Sequence, residues 1–561
     1  MKTKFPKDDK IKKLDFSDEF LLDSADRRFQ SGDYLGALTM LNKRNQMYQN
    51  SSDASALAAD IYEAMELYPQ AADAWYRFLD TCNEADFAEG YEGLAVAFMN
   101  MGCEAPSALY YHKMLEADEE IPEENKTQLL ELFLQPTEKP KLRLVHSDDE
   151  ADNTEAIRKG LFLLKTGNLK EAKEELSAVS QASKDYPSAV GISAMCSLMM
   201  GNTEEAEQEC EALLQKYPDD IQALTTYCAV LGEREKSEEA KKIASRLIDL
   251  PAKNTDDLYK IATVLCETGL DAPAYQKLCL LKKEMPYDRS VLYFHAVASY
   301  RTGRIEEAIS SLELVCTLYP RSAVAEYYLI RMRGELDGKE GNIPTSYFYK
   351  VPEKEHKTIV GFLQLADGAS PERLALLGDL SQMEDFFRIA FDEKEGRDEK
   401  LQLLAARVAV KCEHDRFVRE ILLDYEGNEL IKFSVLHALT VRNRDDSFGT
   451  VICNIYKEFF THEIEIGERK REAFLNAFAD VYSKYALLGE ENENRLCYAA
   501  ESIYEALEQG EAWHCMDERE ALAAAIYREA RLRGGERGIK RISELFDANK
   551  KVVQEILDYV L

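Results

Sequence analysis

Apolar positions recur at helical spacing along most of this chain, and between residues 153 and 320 they do so in a fixed frame. Ala172, Ala206, Ala240, Ala274 and Ala308 stand 34 residues apart. Glycines keep the same interval five residues earlier at Gly167, Gly201, Gly269 and Gly303, with Glu235 in the remaining place. A second series of small residues runs through Gly160, Ala194, Cys228, Ala262 and Ala296. Pro218, Pro286 and Pro320 close units, with Pro251 one residue early and Pro187 three residues late. Small side chains suit a close crossing of two helices, because longer ones would push the axes apart. Glycine suits the end of the first helix, where a left-handed backbone costs it little, and proline ends the second. The pattern therefore predicts paired helices. One pair cannot cover its own apolar face, so neighbours must stack into a continuous array.

A period of 34 carrying small, Gly, Ala and Pro in this order resembles the tetratricopeptide repeat. The resemblance implies an all-α fold, a right-handed superhelical solenoid whose first helices line a concave face where partners bind. Looser copies come earlier: Gly32-Asp33-Tyr34-Leu35-Gly36-Ala37, then Ala72, then Gly102 with Ala108. Residues 1–135 are thus expected to hold degenerate repeats, 136–153 a charged linker, and 154–338 the regular array.

Beyond 338 the ruler is lost while helical periodicity persists. Pro344 to Pro352 reads as an extended aromatic segment fenced by prolines. Residues 339–490 are expected to form a HEAT-like or irregular helical extension, with a small β-hairpin near 449–466 where β-branched residues gather. This arrangement also resembles bacterial repeat proteins, without implying an activity. Residues 491–561 predict a terminal helical bundle. Ala523-Ala524-Ala525-Ile526-Tyr527 followed by Ile542-Ser543-Glu544-Leu545-Phe546 resembles the cyclin-like repeat of transcription factor IIB, and the last two helices have helix-turn-helix spacing. That family often has glycine at the turn, where this chain has Asp547.

Charge narrows the partners. The 561 residues contain 103 acidic and 70 Lys or Arg residues, a net charge of −33. Such a chain repels phosphate backbones and anionic lipid unless a local basic patch opposes the global field. One window qualifies: residues 528–551 carry eight basic against four acidic side chains, net +4. A nucleic-acid contact there would fall to Lys550, Lys551 and Gln554, although Glu555 and Asp558 share their helix. No long uncharged apolar run suggests a membrane span, and the N-terminus lacks the apolar core of a signal peptide. A cytoplasmic setting is the expectation.

The twelve cysteines include no C-x-x-C pair. Cys412-Glu413-His414 and His514-Cys515 are the two places that invite a metal, but neither has a second pair at usable spacing. No metal and no cofactor are expected. Phosphate-binding glycine loops and hydrolase elbows are absent, so no enzyme is expected either.

The resemblance carries the concave face onto Ile157, Leu161, Met195, Met199, Tyr259, Tyr293, Tyr300 and Arg301. Methionine adapts to varied shapes and tyrosine buries area at small entropic cost, as protein-binding surfaces require. Leu164 and Leu198 fall where packing between units is the alternative. One family variant grips C-terminal carboxylates with Lys and Asn; here those places hold Ile157, Leu161, Met195, Thr225, Ala229, Tyr259 and Thr263. The expectation is a non-enzymatic scaffold or adaptor for a protein or peptide. The alternative is a transcriptional regulator whose C-terminal helices meet DNA.

Overall fold

The computed structural model describes residues 16–117, 154–165, 168–181, 183, 186–339, 341–370, 373–374, 382–392, 399–440, 442, 446–461, 472–485, 490–531, 539–546 and 548–560. The expected linker at 136–153, Gly167 and Asp547 lie outside these residues. The chain divides into two compact units: Met1–Lys139 with Ile359–Ala390 and Asp398–Leu561, and Pro140–Thr358 with Phe391–Arg397.

The first unit opens with three helix pairs: α1 (Asp18–Gln30) with α2 (Tyr34–Met47), α3 (Ser52–Ala64) with α4 (Tyr68–Leu79), and α5 (Phe87–Asn100) with α6 (Glu104–Ala117). Ser17 and Ser51, 34 residues apart, each cap the first helix of a pair by accepting from a backbone N–H. Ala37, Ala72 and Ala108 are fully buried at the crossings.

The second unit is the regular array. Its pairs are α7 (Thr154–Lys165) with α8 (Leu169–Ser177), α9 (Tyr186–Met199) with α10 (Thr203–Lys216), α11 (Ile221–Glu233) with α12 (Ser237–Arg246), α13 (Thr255–Glu267) with α14 (Asp271–Glu284), and α15 (Arg289–Arg301) with α16 (Ile305–Leu318). A closing first helix, α17 (Ala323–Leu336), follows. Every alanine of the 34-residue ruler is buried, as are Ala194, Cys228, Ala262 and Ala296 opposite them.

The turn inside each pair has one backbone solution. Asn202 N–H reaches back to Ser197 O, Lys236 to Leu231, Leu270 to Leu265 and Arg304 to Ser299, each spanning five residues and satisfying a carbonyl at the helix end. That closure needs a left-handed residue. Gly201, Gly269 and Gly303 supply it with φ of 71–81°, and Glu235 adopts the same conformation at φ 57°. Asp220, Asn254 and Asp288 cap α11, α13 and α15 at the same 34-residue interval.

The prolines need one correction. Pro218, Pro286 and Pro320 follow α10, α14 and α16, but Pro187 lies in the first turn of α9 rather than ending a second helix. Proline is tolerated there because the first-turn N–H has no helical partner to lose.

The first unit resumes within α18 (Glu353–Asp367) and continues through α19 (Gln382–Asp392), whose last two residues belong to the second unit, then α20 (Glu399–Lys411), α21 (Asp415–Leu423) and α22 (Glu429–Thr440). Ser447–Ile452 (β1) then pairs antiparallel with Ile455–Phe460 (β2), Val451 opposite Tyr456. Cys453 and Asn454 form its two-residue turn, both with positive φ.

The hairpin rests on the second helices of the N-terminal pairs. Tyr76 and Tyr110 each donate a phenol hydrogen to Asn454 O, at 3.0 and 2.7 Å. Asp80 accepts from Gly449 N–H and from Arg419. Lys432, fully buried, donates to Val451 O at 2.6 Å and pairs with Glu429, which also accepts from Cys453 N–H.

The terminal bundle comprises α23 (Glu472–Tyr485), α24 (Glu490–Gln509), the short α25 (Trp513–Met516), α26 (Arg519–Arg531), α27 (Ile539–Leu545) and α28 (Lys550–Val560). Its core gathers Ala523 through Tyr527 with Ile542, Phe546, Val553 and Ile556. No described helix is long and apolar enough to cross a membrane.

Candidate functional site

The first helices of the second unit carry all eight residues expected on the concave face, but the structure divides them into two groups. Towards the start of the array Leu161 and Met199 are exposed, at 38% and 58%, while Ile157, Met195 and Tyr259 are half-buried. Ile157 packs with Leu164 against the cluster of Leu163, Leu176 and Ile192, and Leu198 packs against that of Ala206 and Leu231. Burial pushes the Tyr259 phenol up, and its partner is Ser290.

Towards the end of the array the face is covered. Residues 342–351, the proline-fenced segment, run as irregular chain against α15 and α17. Tyr293, only 1% exposed, donates to Ser346 O at 2.9 Å. Tyr300 donates to Glu335 at 2.5 Å and accepts from Ile343 N–H at 2.7 Å. Arg301 donates to Thr345 O and lies over the Tyr347 ring, 4.6 Å from its centroid. Tyr328 donates to Lys350 O at 2.9 Å. So three residues expected to meet a foreign partner, Tyr293, Tyr300 and Arg301, meet the chain itself.

The segment is fixed by its side chains as well. Tyr347 Oη donates to Asp271 at 2.8 Å, and burial, followed by Cys266 and that carboxylate, pushes its phenol up. Tyr349 sits between two ions: it accepts from Arg289 at 2.9 Å and donates to Asp392 at 3.0 Å. Arg289 also pairs directly with Asp392, which accepts from Val324 N–H at 2.8 Å. Burial pushes the Asp392 carboxyl up, against the pull of Arg289 and of Val324 N–H. A carboxylate so deeply buried is tolerable because each oxygen has a hydrogen-bonding partner.

In the other unit, Lys550, Lys551 and Gln554 are exposed on α28. Gln554 donates to Asp558 at 2.7 Å, and Glu555 lies one turn after Lys551. The exposed side of α28 therefore mixes cations with carboxylates. Glu555 Oε1 also accepts a hydrogen bond from His514 Nε2, at 2.8 Å. Burial, then the Glu555 and Glu518 carboxylates, push the neighbouring Cys515 thiol up to about 11.

Two features escaped the sequence. The aromatic segment was legible as extended chain, but its destination was not, because the contacts that hold it involve backbone carbonyls. Asp392 lies 103 residues from Arg289, and nothing in the spacing of either announces the pair. The capping residues at 220, 254 and 288 did carry a readable signal, an Asp or Asn three residues before a helical N–H on the same ruler.

These features define a helical-repeat solenoid whose last first helices hold the chain's own segment 342–351. Residues 163–226 match the tetratricopeptide repeat family model. No curated protein matches the chain. Solved structures similar to parts of it include MamA (MSR-1), at 18% identity over 31% of this chain and 99% of that one, with a TM-score of 0.24. YrrB, described as a TPR protein with an unusual peptide-binding site, aligns at 16% identity over 32% of this chain and 91% of its own, with a TM-score of 0.25. A tetratricopeptide repeat protein from Parabacteroides merdae ATCC 43184 aligns at 15% identity over 45% and 98%, with a TM-score of 0.27.

Proposed function

We propose that the protein is a non-enzymatic scaffold that binds an extended segment of a partner protein along the first helices α7, α9, α11 and α13. The observation that carries this reading is the chain's own segment 342–351, held on α15 and α17 through its backbone carbonyls and tyrosines. Neighbouring units of one array present related surfaces, so a face that takes extended polypeptide at one end supports the same use at the other. The end occupied in cis confines the partner to the remainder. There Leu161 and Met199 offer exposed apolar contacts and Tyr259 a half-buried aromatic one.

A displayed library of random peptides, selected on the full chain, tests the proposal without knowledge of the partner. Selected peptides should lose at least thirtyfold in affinity, about 2 kcal/mol, to a Leu161→Glu/Met199→Glu double variant. They should bind Tyr293→Phe as they bind the parent, because Tyr293 lies beneath the cis segment. Peptides indifferent to the double variant would place the binding site elsewhere.

A further inference from the structure

The histidine and cysteine at 514 and 515 lack a second metal-binding pair in sequence, but the fold delivers a third donor from α28. His514 Nε2 stands 2.8 Å from Glu555 Oε1 and 3.4 Å from Cys515 Sγ, and the three donor atoms lie within 4.8 Å of one another. We infer that His514, Cys515 and Glu555 form a binding site for one divalent ion of the zinc class, completed by a water.

The geometry is close to what such an ion requires. Tetrahedral zinc with a nitrogen at about 2.0 Å and a sulfur at about 2.3 Å separates those donors by about 3.5 Å. The His514–Cys515 distance already meets this. The His514–Glu555 pair must open by about 0.5 Å, exchanging its hydrogen bond for two bonds to the metal. Rotation of two solvent-exposed side chains suffices, since His514 and Glu555 are 65% and 47% exposed. The mixed nitrogen, sulfur and oxygen set favours a borderline-soft ion over magnesium or calcium, which take oxygen donors.

Surroundings and access also fit. Cys515 is buried and so fixed in place, while the other two donors face solvent, giving an entry path and a position for water. Glu518, one turn on from Cys515 and bonded to its carbonyl through its own N–H, adds negative field without being needed as a ligand. Binding displaces the thiol proton to solvent, so the thiolate and carboxylate together balance the charge of a divalent ion. The ion would tie the four-residue α25 to α28.

Cobalt(II), added to the full chain kept reduced by a phosphine, reports the site directly. One equivalent should produce a thiolate-to-cobalt charge-transfer band in the near ultraviolet and the visible absorption of a tetrahedral ion. Zinc should abolish both. Cys515→Ala should remove the charge-transfer band, and the surface changes His514→Ala and Glu555→Gln, which leave the core untouched, should each weaken binding at least tenfold. The absence of a band at one equivalent overturns the assignment. So does a band that survives Cys515→Ala, which would put the metal on another thiol, or affinity unchanged in both surface variants.

Discussion

Among the described turns within the pairs of the regular array, Glu235 occupies the one where the left-handed residue is not glycine, and replacing it with glycine should stabilise the protein. A side chain with a Cβ pays about 1–2 kcal/mol to sit in that conformation. Glycine avoids this but loses about 0.5–1 kcal/mol more backbone entropy on folding. The net gain is then about 0.5–1 kcal/mol, and nothing offsets it in packing, since Glu235 is exposed. The equivalent glycines supply the reverse experiment. An added Cβ at Gly303 would meet no atom within 4 Å, so Gly303→Ala reports the backbone cost alone and should destabilise by a similar amount. Native-state hydrogen exchange resolves both locally. Protection of α11 and α12 should rise about two- to fivefold in Glu235→Gly, and that of α15 and α16 should fall by the same factor in Gly303→Ala. Equal protection in both variants and the parent would refute the argument, because φ would then not be what distinguishes these positions.

Two further outcomes follow from buried charge. His295, beside Ser311 and Cys279, is held down to about 4 from 6.5 by burial and then by Lys282. The unfolded chain therefore binds a proton first as pH falls, so stability from this group is complete above pH 6.5 and is lost on the way down to about 4, a difference of about 3 kcal/mol. Urea titrations should show that slope, and His295→Gln should flatten it. Asp392→Ala should cost about 3 kcal/mol by leaving the half-buried Arg289 without its carboxylate, and should expose the 347–349 segment to limited proteolysis; Asp392→Asn, which keeps an acceptor for Val324 N–H, should cost less. A segment equally protected in both variants would show that the ion pair does not hold it.

The repeat was readable because backbone requirements recur with it. A glycine at most left-handed turns of the array and a small residue at each crossing answer to local geometry, and local geometry leaves a local trace in sequence. What stayed hidden was long-range. Tyr293 carries the same composition signal whether a partner or residues 346–348 cover it, and only the path of the chain after α17 decides between them. The zinc-class site was half visible for the same reason, since Glu555 reaches His514 across 41 residues. The two-residue hairpin turn lacks glycine altogether, so the β-branched residues placed a hairpin only near 449–466, whereas its strands pair over 447–460 about Cys453-Asn454, and residues 462–466 lie outside the described residues.

The phenols of Tyr76 and Tyr110 meet a carbonyl that is made much later than they are. Asn454 follows Tyr110 by 344 residues, which at about 5–20 residues per second takes a ribosome roughly 20–70 s to add. Throughout that interval the N-terminal pairs exist without the strand that satisfies them, while the intervening array closes on contacts between successive helices as each emerges. The unit begun first is thus the one finished last. Its early helices form a waiting surface on the nascent chain, and a stall between residues 117 and 454 would leave that surface open to chaperones or to another copy.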